Sequence, residues 1–144
     1  MSISNHNVLG DQKHNIDHFA SIVKLAMADG VITSKEEAFL LKMSRKLHII
    51  EEKAEEILKN YQDYSYTTPH GYDDRIELLY DYTRMIYADD AVDKKEVSVL
   101  RKICVGLGFP TDNAEKVADE AIYLVLNNND LEGFTKAIKY VNRV

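Results

Sequence analysis

The chain carries the stretch ADGVITSKE at residues 28–36 and a second version of it, ADDAVDKKE, at residues 88–96. The same offset of 60 residues also pairs Leu40 with Leu100, and further apolar positions follow in register. Each copy is an acidic turn that lies between two segments with helical apolar spacing. Duplication of such a unit predicts a pseudo-twofold bundle built from two helix-turn-helix repeats.

Outside the turns, apolar residues recur at helical spacing in seven segments. These segments lie within residues 16–27, 39–47, 54–61, 76–86, 99–107, 117–125 and 134–141. No stretch alternates between apolar and polar residues for longer than about three positions, as a half-buried strand would. The predicted class is therefore all-α, with about seven helices.

The repeat also predicts how the 144 residues are organised. We expect a single helical domain over 13–144, with repeat copies at about 14–60 and 73–128, and a C-terminal helix at about 130–142. A linker at 61–74 joins the copies, because Pro69 and Gly71 interrupt the helical pattern there. Residues 1–12 are polar and unpatterned, so we expect a flexible N-terminal segment.

Charge and composition exclude several classes of partner. The 18 Lys and Arg against 24 Asp and Glu give a net charge of −6, which argues against nucleic-acid binding. The longest apolar run, 121–126, is too short to span a membrane. A single cysteine, Cys104, excludes an internal disulfide and favours a cytoplasmic location, and its spacing places it in the core. Oligomeric state is left open.

One interpretation of the acidic turns requires no ligand. Thr33 followed by Glu36, and Asp93 followed by Glu96, both fit the capping box, in which the first side chain accepts from a helix amide and the glutamate reaches back to the cap. The offset of 60 also pairs His48 with Gly108, where Pro110 prevents the helix from continuing. We therefore expect both residues at helix ends.

A second interpretation is metal binding. Residues 29–36 match the second half of an EF-hand loop, in which the last glutamate binds calcium. The ligand positions of the first half are taken by Leu25, Met27, Met85 and Tyr87, so an EF-hand is rejected. What remains is a candidate cluster of carboxylates whose mutual repulsion, if the turns meet, would favour a divalent cation or a basic partner. Its members are Asp29, Glu36, Asp89, Asp90, Asp93 and Glu96.

The paired turns, each between an apolar helix and a leucine-rich one, resemble the TerB-like family, which is named for a tellurite-resistance protein. Related domains include the N-terminal region of a membrane-anchored DnaJ-type co-chaperone. The resemblance covers about residues 14–142. It implies an all-helical fold of about seven helices, a role in a bacterial stress response, and no established enzymatic activity.

The resemblance also implies a surface acidic region, proposed to bind metal, which maps here onto Asp29, Glu36, Asp89 and Glu96. This chain departs from the pattern at Asp90, where the first copy has Gly30. That difference makes the second turn more acidic and puts a common backbone geometry of the two turns in doubt.

No nucleophile elbow, phosphate-binding loop, dinucleotide fingerprint or zinc-protease motif occurs in the chain. We therefore expect a non-catalytic binding module whose acidic turns contact a divalent cation or a basic protein partner. A carboxylate-based metal enzyme is the other possibility that the acidic residues raise, although no histidine lies near them.

Tyrosines are concentrated in the linker, and three of them, Tyr64, Tyr66 and Tyr72, are candidate partner-binding residues. They predict an alternative function, an adaptor that acts through a tyrosine-rich protein surface while the acidic turns serve only as helix caps. The rings could instead close the cleft between the two helix pairs. Stacking on single-stranded nucleic acid is excluded, because residues 60–74 contain no lysine or arginine.

Overall fold

The computed structural model describes residues 2–28, 30–66, 68–87 and 96–143, with side chains from residue 13 onward. Over these ranges the chain forms seven α-helices, one 3-10 turn at Tyr61–Asp63 and no strand, which confirms the all-α class and the number of helices. The helices are α1 (Ser2–Ala26), α2 (Ser34–Lys46), α3 (Glu51–Lys59), α4 (Tyr72–Tyr87), α5 (Ser98–Gly106), α6 (Thr111–Leu126) and α7 (Leu131–Val141).

The helix bounds refine the predicted organisation. α1 begins at Ser2, so the backbone is helical through the segment expected to be flexible, and flexibility itself stays a prediction. α4 begins at Tyr72, inside the predicted linker. None of the helices in the described ranges combines the length and hydrophobicity that a bilayer span requires. A pseudo-twofold relation between the two copies also stays a prediction.

The helices pack around one apolar core. α1 packs on α5, α4 packs on α6 and α7, and α2 packs on α3. Two fully buried tyrosines keep their hydroxyls hydrogen-bonded: Tyr82 lies 2.9 Å from Ser21 Oγ, and Tyr87 donates to the carbonyl of Glu96 at 2.6 Å. Cys104 is buried in this core, as predicted, and burial raises the pKa of its thiol.

A glycine sets the distance between α1 and α5. A Cβ atom added to Gly106 would lie 2.7 Å from the backbone carbonyl oxygen of Leu25. That distance is well inside van der Waals contact, so only glycine allows the end of α5 to come this close to α1. The contact brings the last turn of α1 beside α5.

The two residues predicted at helix ends adopt the same conformation. His48 after α2 has φ +60° and Gly108 after α5 has φ +97°, both in the left-handed region. In each case the next amide donates back to the helix, Ile49 to Ser44 and Phe109 to Cys104, both at 3.0 Å. This is the Schellman arrangement, which confirms His48 and Gly108 as helix-ending residues.

Candidate functional site

Only part of the predicted carboxylate cluster lies in the described ranges. Glu36 and Glu96 are described, whereas Asp29, Asp89, Asp90 and Asp93 lie outside the described residues. Within the part of the chain that the structure describes, no three His, Cys, Asp or Glu side chains come together as a metal site would require. Of the six predicted carboxylates, the contacts of Glu36 and Glu96 are therefore the ones described below.

The first turn forms the predicted capping box. Thr33 precedes the first residue of α2, its hydroxyl accepts from the amide of Glu36 at 3.1 Å, and Glu36 Oε1 accepts from the amide of Thr33 at 2.9 Å. Glu36 also has a partner from the second copy, because Lys102 Nζ of α5 donates to the same oxygen at 2.9 Å. Glu36 is 4% exposed, whereas Thr33 is exposed and the side chain of Lys102 is 20% exposed, so the cap and the ion pair are partly buried.

These contacts shift the ionisation of Glu36. Burial acts to raise the pKa of its carboxyl, but the amide of Thr33, the ammonium of Lys102 and the hydroxyl of Ser98 outweigh burial. The pKa of Glu36 therefore lies below its ordinary value of 4.5, and the group is charged at neutral pH.

In the second copy Glu96 lies outside the helix, so its predicted place at the third helical position of a capping box is wrong. α5 begins at Ser98, so Glu96 lies two residues before the helix and cannot occupy its third position. Its carboxylate instead accepts forward, from the amide of Ser98 at 2.9 Å and from the hydroxyl of the same serine. Asp93, the predicted cap, lies outside the described residues.

The two glutamates are neutralised across the copies. Lys102, from the second copy, pairs with Glu36, and Lys35, from the first copy, lies 3.7 Å from Glu96 Oε2. The start of α2 therefore faces the start of α5, and two lysines balance the two carboxylates. The side chain of Lys35 is 83% exposed, so its contact with Glu96 is screened by solvent and weak. For Glu36, the opposite charge that was expected from a cation or a partner is supplied by the chain itself.

An open groove of about 650 Å³ lies between the end of α1, the start of α2 and α3. We call it the acidic groove. Three apolar side chains, Met27, Ile32 and Leu58, line it and pack against the core while they remain partly exposed. Four glutamates and one lysine complete its charged lining, which has a net charge of −3: Glu37, Glu52, Glu55, Glu56 and Lys59.

The four glutamates of the groove differ in what they already bind. Glu56 Oε1 accepts from Lys53 Nζ at 2.8 Å and from the hydroxyl of Tyr64 at 2.7 Å, and these contacts lower its pKa. Glu37, Glu52 and Glu55 are exposed, and none of them forms an ion pair with another described residue. Among the described residues, these three carboxylates therefore stand beside an apolar surface without an ion-pair partner.

The sequence contains one local signal for this groove, in the spacing of the glutamates of α3. α3 reads EEKAEEILK, and Glu52, Glu55 and Glu56 are spaced by three and four residues, which places them on one helix face. The capping-box residues drew attention to the turn itself, whereas the exposed carboxylates lie on the neighbouring helix.

The candidate tyrosines lie in two places. Tyr64 and Tyr66 line a cleft of about 470 Å³ with His18 and Tyr82, and burial raises the pKa of Tyr66. Tyr72, at the start of α4, lies elsewhere: its hydroxyl accepts from Asn142 Nδ2 at 2.8 Å, beside the end of α7. A binding role for Tyr64, Tyr66 and Tyr72 stays a prediction.

No family model, no curated protein and no solved structure matches the chain. The resemblance to the TerB-like family therefore stays a prediction, and the functional argument depends on the geometry of the site.

Proposed function

We propose that this chain is a non-catalytic protein-binding module and that its partner docks in the acidic groove. The observation that carries the proposal is the combination, in one open groove, of partly exposed Met27, Ile32 and Leu58 with three glutamates that form no ion pair with another described residue. Exposed apolar surface bordered by polar groups is typical of a docking site. Met27 also suits such a surface, because its flexible thioether adapts to different partners.

The chemistry of the core and turns supports a binding role over a catalytic one. Cys104 is buried and its raised pKa keeps the thiol protonated, so it is a poor nucleophile. Glu36 and Glu96 are held by a helix cap and by lysines, which leaves them little capacity to act as acid, base or metal ligand. The interpretation of these two residues as structural is therefore favoured.

The proposal retains one part of the expectation from the sequence, a basic partner that meets acidic residues, and moves the contact from the turns to α3. It does not depend on tellurite or on a particular stress response. A divalent cation at the turns remains a separate hypothesis, which concerns mainly the four aspartates outside the described residues.

Site-specific photocrosslinking tests the proposal. A photoreactive phenylalanine replaces Leu58 in the groove, Ser65 beside the tyrosine cleft, or Tyr140, which is 70% exposed on α7 and serves as the control. We expect position 58 to capture a discrete protein in the source cells that position 140 does not. Adducts formed only from position 65 would refute the groove and favour the tyrosine-rich surface.

The captured protein is then purified and its affinity measured against substituted forms of the chain. Leu58→Gln removes apolar contact from the groove, and we expect it to weaken binding at least about tenfold. Since Leu58 is partly buried, the exposed substitution Glu55→Lys provides a second variant that leaves the core intact. The proposal would be overturned if circular dichroism shows that both variants are folded and both bind the captured protein with unchanged affinity.

A further inference from the structure

We infer that the acidic groove takes a cationic amphipathic helix of a partner protein, with its apolar face on the groove and its lysines or arginines on the surrounding glutamates. This inference rests on the proposed function, and it specifies the chemistry of the partner at the same site. Two properties of the groove carry it: the sign and spread of its charges, and the apolar residues between them.

The positions of the carboxylates in the groove favour a partner with several positive charges over a single cation. Glu37 lies in the first turn of α2, whereas Glu52 and Glu55 lie on α3, so the carboxylates without an ion-pair partner in the described ranges come from two helices. Together with Glu56 they do not form a compact ligand group of the kind that holds a metal ion, within the residues described. Carboxylates spread along a groove match a row of separate ammonium or guanidinium groups, each of which can pair with its own partner.

The apolar residues of the groove favour a partner that also has an apolar surface. Met27, Ile32 and Leu58 come from the end of α1, the turn before α2 and the last part of α3. A purely basic, flexible segment would neutralise the glutamates and leave these side chains in water. An amphipathic helix supplies both surfaces at once, because its apolar residues at three- and four-residue spacing form one face and its charged residues the other.

The groove is also shaped by helices, and docking of a helix into a cleft between helices is a common form of recognition. The net charge of −6 on the whole chain favours approach of a cationic segment from a distance. We expect the glutamates to contribute mainly to association rate and selectivity, and the apolar contacts to contribute mainly to the lifetime of the complex.

Three labelled peptides test the inference by fluorescence anisotropy with the purified full chain. Each is a helix of about 18 residues with the same leucine face, and the opposite face carries lysine, glutamine or glutamate. We expect the lysine peptide to bind at least about tenfold more tightly than the glutamine peptide, and the glutamate peptide not to bind. We also expect affinity for the lysine peptide to fall as salt rises from about 0.05 to 0.5 M.

Variants of the chain locate the binding. Glu52→Gln/Glu55→Gln removes two charges from the groove, and Glu77→Gln/Asp81→Asn removes two exposed charges from α4, outside the groove lining. Both pairs change the net charge equally. We expect the first pair of substitutions to lower the affinity for the lysine peptide about five- to tenfold. The second pair should change that affinity by less than about twofold. Equal loss in both pairs would overturn the inference, because it would indicate attraction to the net charge alone.

The remaining outcomes separate this inference from the proposed function. If the glutamine or glutamate peptide binds as tightly as the lysine peptide and Leu58→Gln abolishes binding, the cationic partner is refuted while the groove is retained as a docking site. If no peptide binds, the cationic helix is refuted. The proposed function would then be decided by the crosslinking at position 58, which does not depend on peptide charge.

Discussion

The partly buried contact between Glu36 and Lys102 joins the two copies of the repeat, and its energy can be predicted from its geometry. Glu36 Oε1 accepts from Thr33 N and from Lys102 Nζ, both at 2.9 Å. The side chain of Glu36 is 6% exposed and that of Lys102 is 20% exposed. Hydrogen bonds to charged groups contribute about 1.5–3 kcal/mol each. Removing one member of a fully buried pair costs about 3–5 kcal/mol, and the partial exposure of Lys102 places this pair below that range.

We therefore expect Glu36→Gln to lower the free energy of unfolding by about 2 kcal/mol, because the amide oxygen still accepts one bond while the ammonium of Lys102 loses its counter-ion. Lys102→Met should cost a similar amount. In the double variant no unpaired charge is left, so the loss should be smaller than the sum of the single losses by about 1–2 kcal/mol. Urea unfolding at neutral pH, followed by circular dichroism, measures all three variants.

Glu37→Gln is the matched control. Glu37 lies next to Glu36 in the first turn of α2 but is exposed and forms no ion pair with another described residue, so we expect a change below about 0.5 kcal/mol. If the loss of stability in the double variant equals the sum of the losses in the Glu36 and Lys102 single variants within about 0.5 kcal/mol, the coupling between the copies is refuted.

The pH dependence supplies a further check on the same pair. Because the folded pKa of Glu36 lies below the ordinary value of 4.5, its stabilising contribution is complete above that value and is lost as pH falls through the folded pKa. The difference in stability between the natural chain and Glu36→Gln should therefore shrink in acid. A difference that stays constant from neutral pH to about pH 3 would contradict the assignment.

Three further predictions concern the helix contacts and the turns. Gly106→Ala should destabilise the chain by about 1–3 kcal/mol in urea unfolding, because the added methyl meets the carbonyl of Leu25 at 2.7 Å; a neutral result would disprove the close contact. His48→Gly should stabilise it by about 0.5–1 kcal/mol, since the left-handed conformation is strained for histidine, and a loss of stability would contradict this. The metal hypothesis for the turns predicts that calcium, magnesium, zinc or manganese added to the chelated protein gives a saturable rise in melting temperature that Asp29→Asn abolishes, and a flat response would refute it.

The sequence predicted the helices because helical periodicity is a local property of the chain. Seven apolar segments at three- and four-residue spacing became seven helices. The helix-ending position of His48 could also be predicted, because the repeat pairs it with Gly108. Gly108 is followed by Phe109 and Pro110, a sequence that is typical of the end of a helix. In each case the residues that determine the structure are close together in the sequence.

The second turn shows where the pattern of residues was insufficient. Thr33 with Glu36, and Asp93 with Glu96, have the same spacing, yet only the first glutamate lies in its helix. Glu96 accepts from Ser98, a residue whose counterpart in the first copy is Ala38, so the second copy has a competing hydrogen-bond donor that the first does not. A motif specifies which contacts are available, and neighbouring side chains decide among them.

The acidic groove and the cross-copy lysines depend on tertiary structure. Lys102 reaches Glu36 across 66 positions of sequence, and nothing local to either residue indicates the pairing. The groove needs the end of α1, the start of α2 and α3 to lie around one space. Spacing along α3 places Glu52 and Glu55 on one face, but only packing determines that this face borders Met27 and Ile32.

The most direct test of the account is to map where a cationic helix binds. Amide chemical shifts of the isotope-labelled chain are recorded by two-dimensional NMR while the lysine peptide is added. We predict saturable shifts concentrated at Met27, Ile32 and Glu37 and along α3, where the residues that line the acidic groove lie. Shifts concentrated instead around Tyr64 and Tyr66, or spread over the surface without saturation, would contradict the claim that this groove is the docking site.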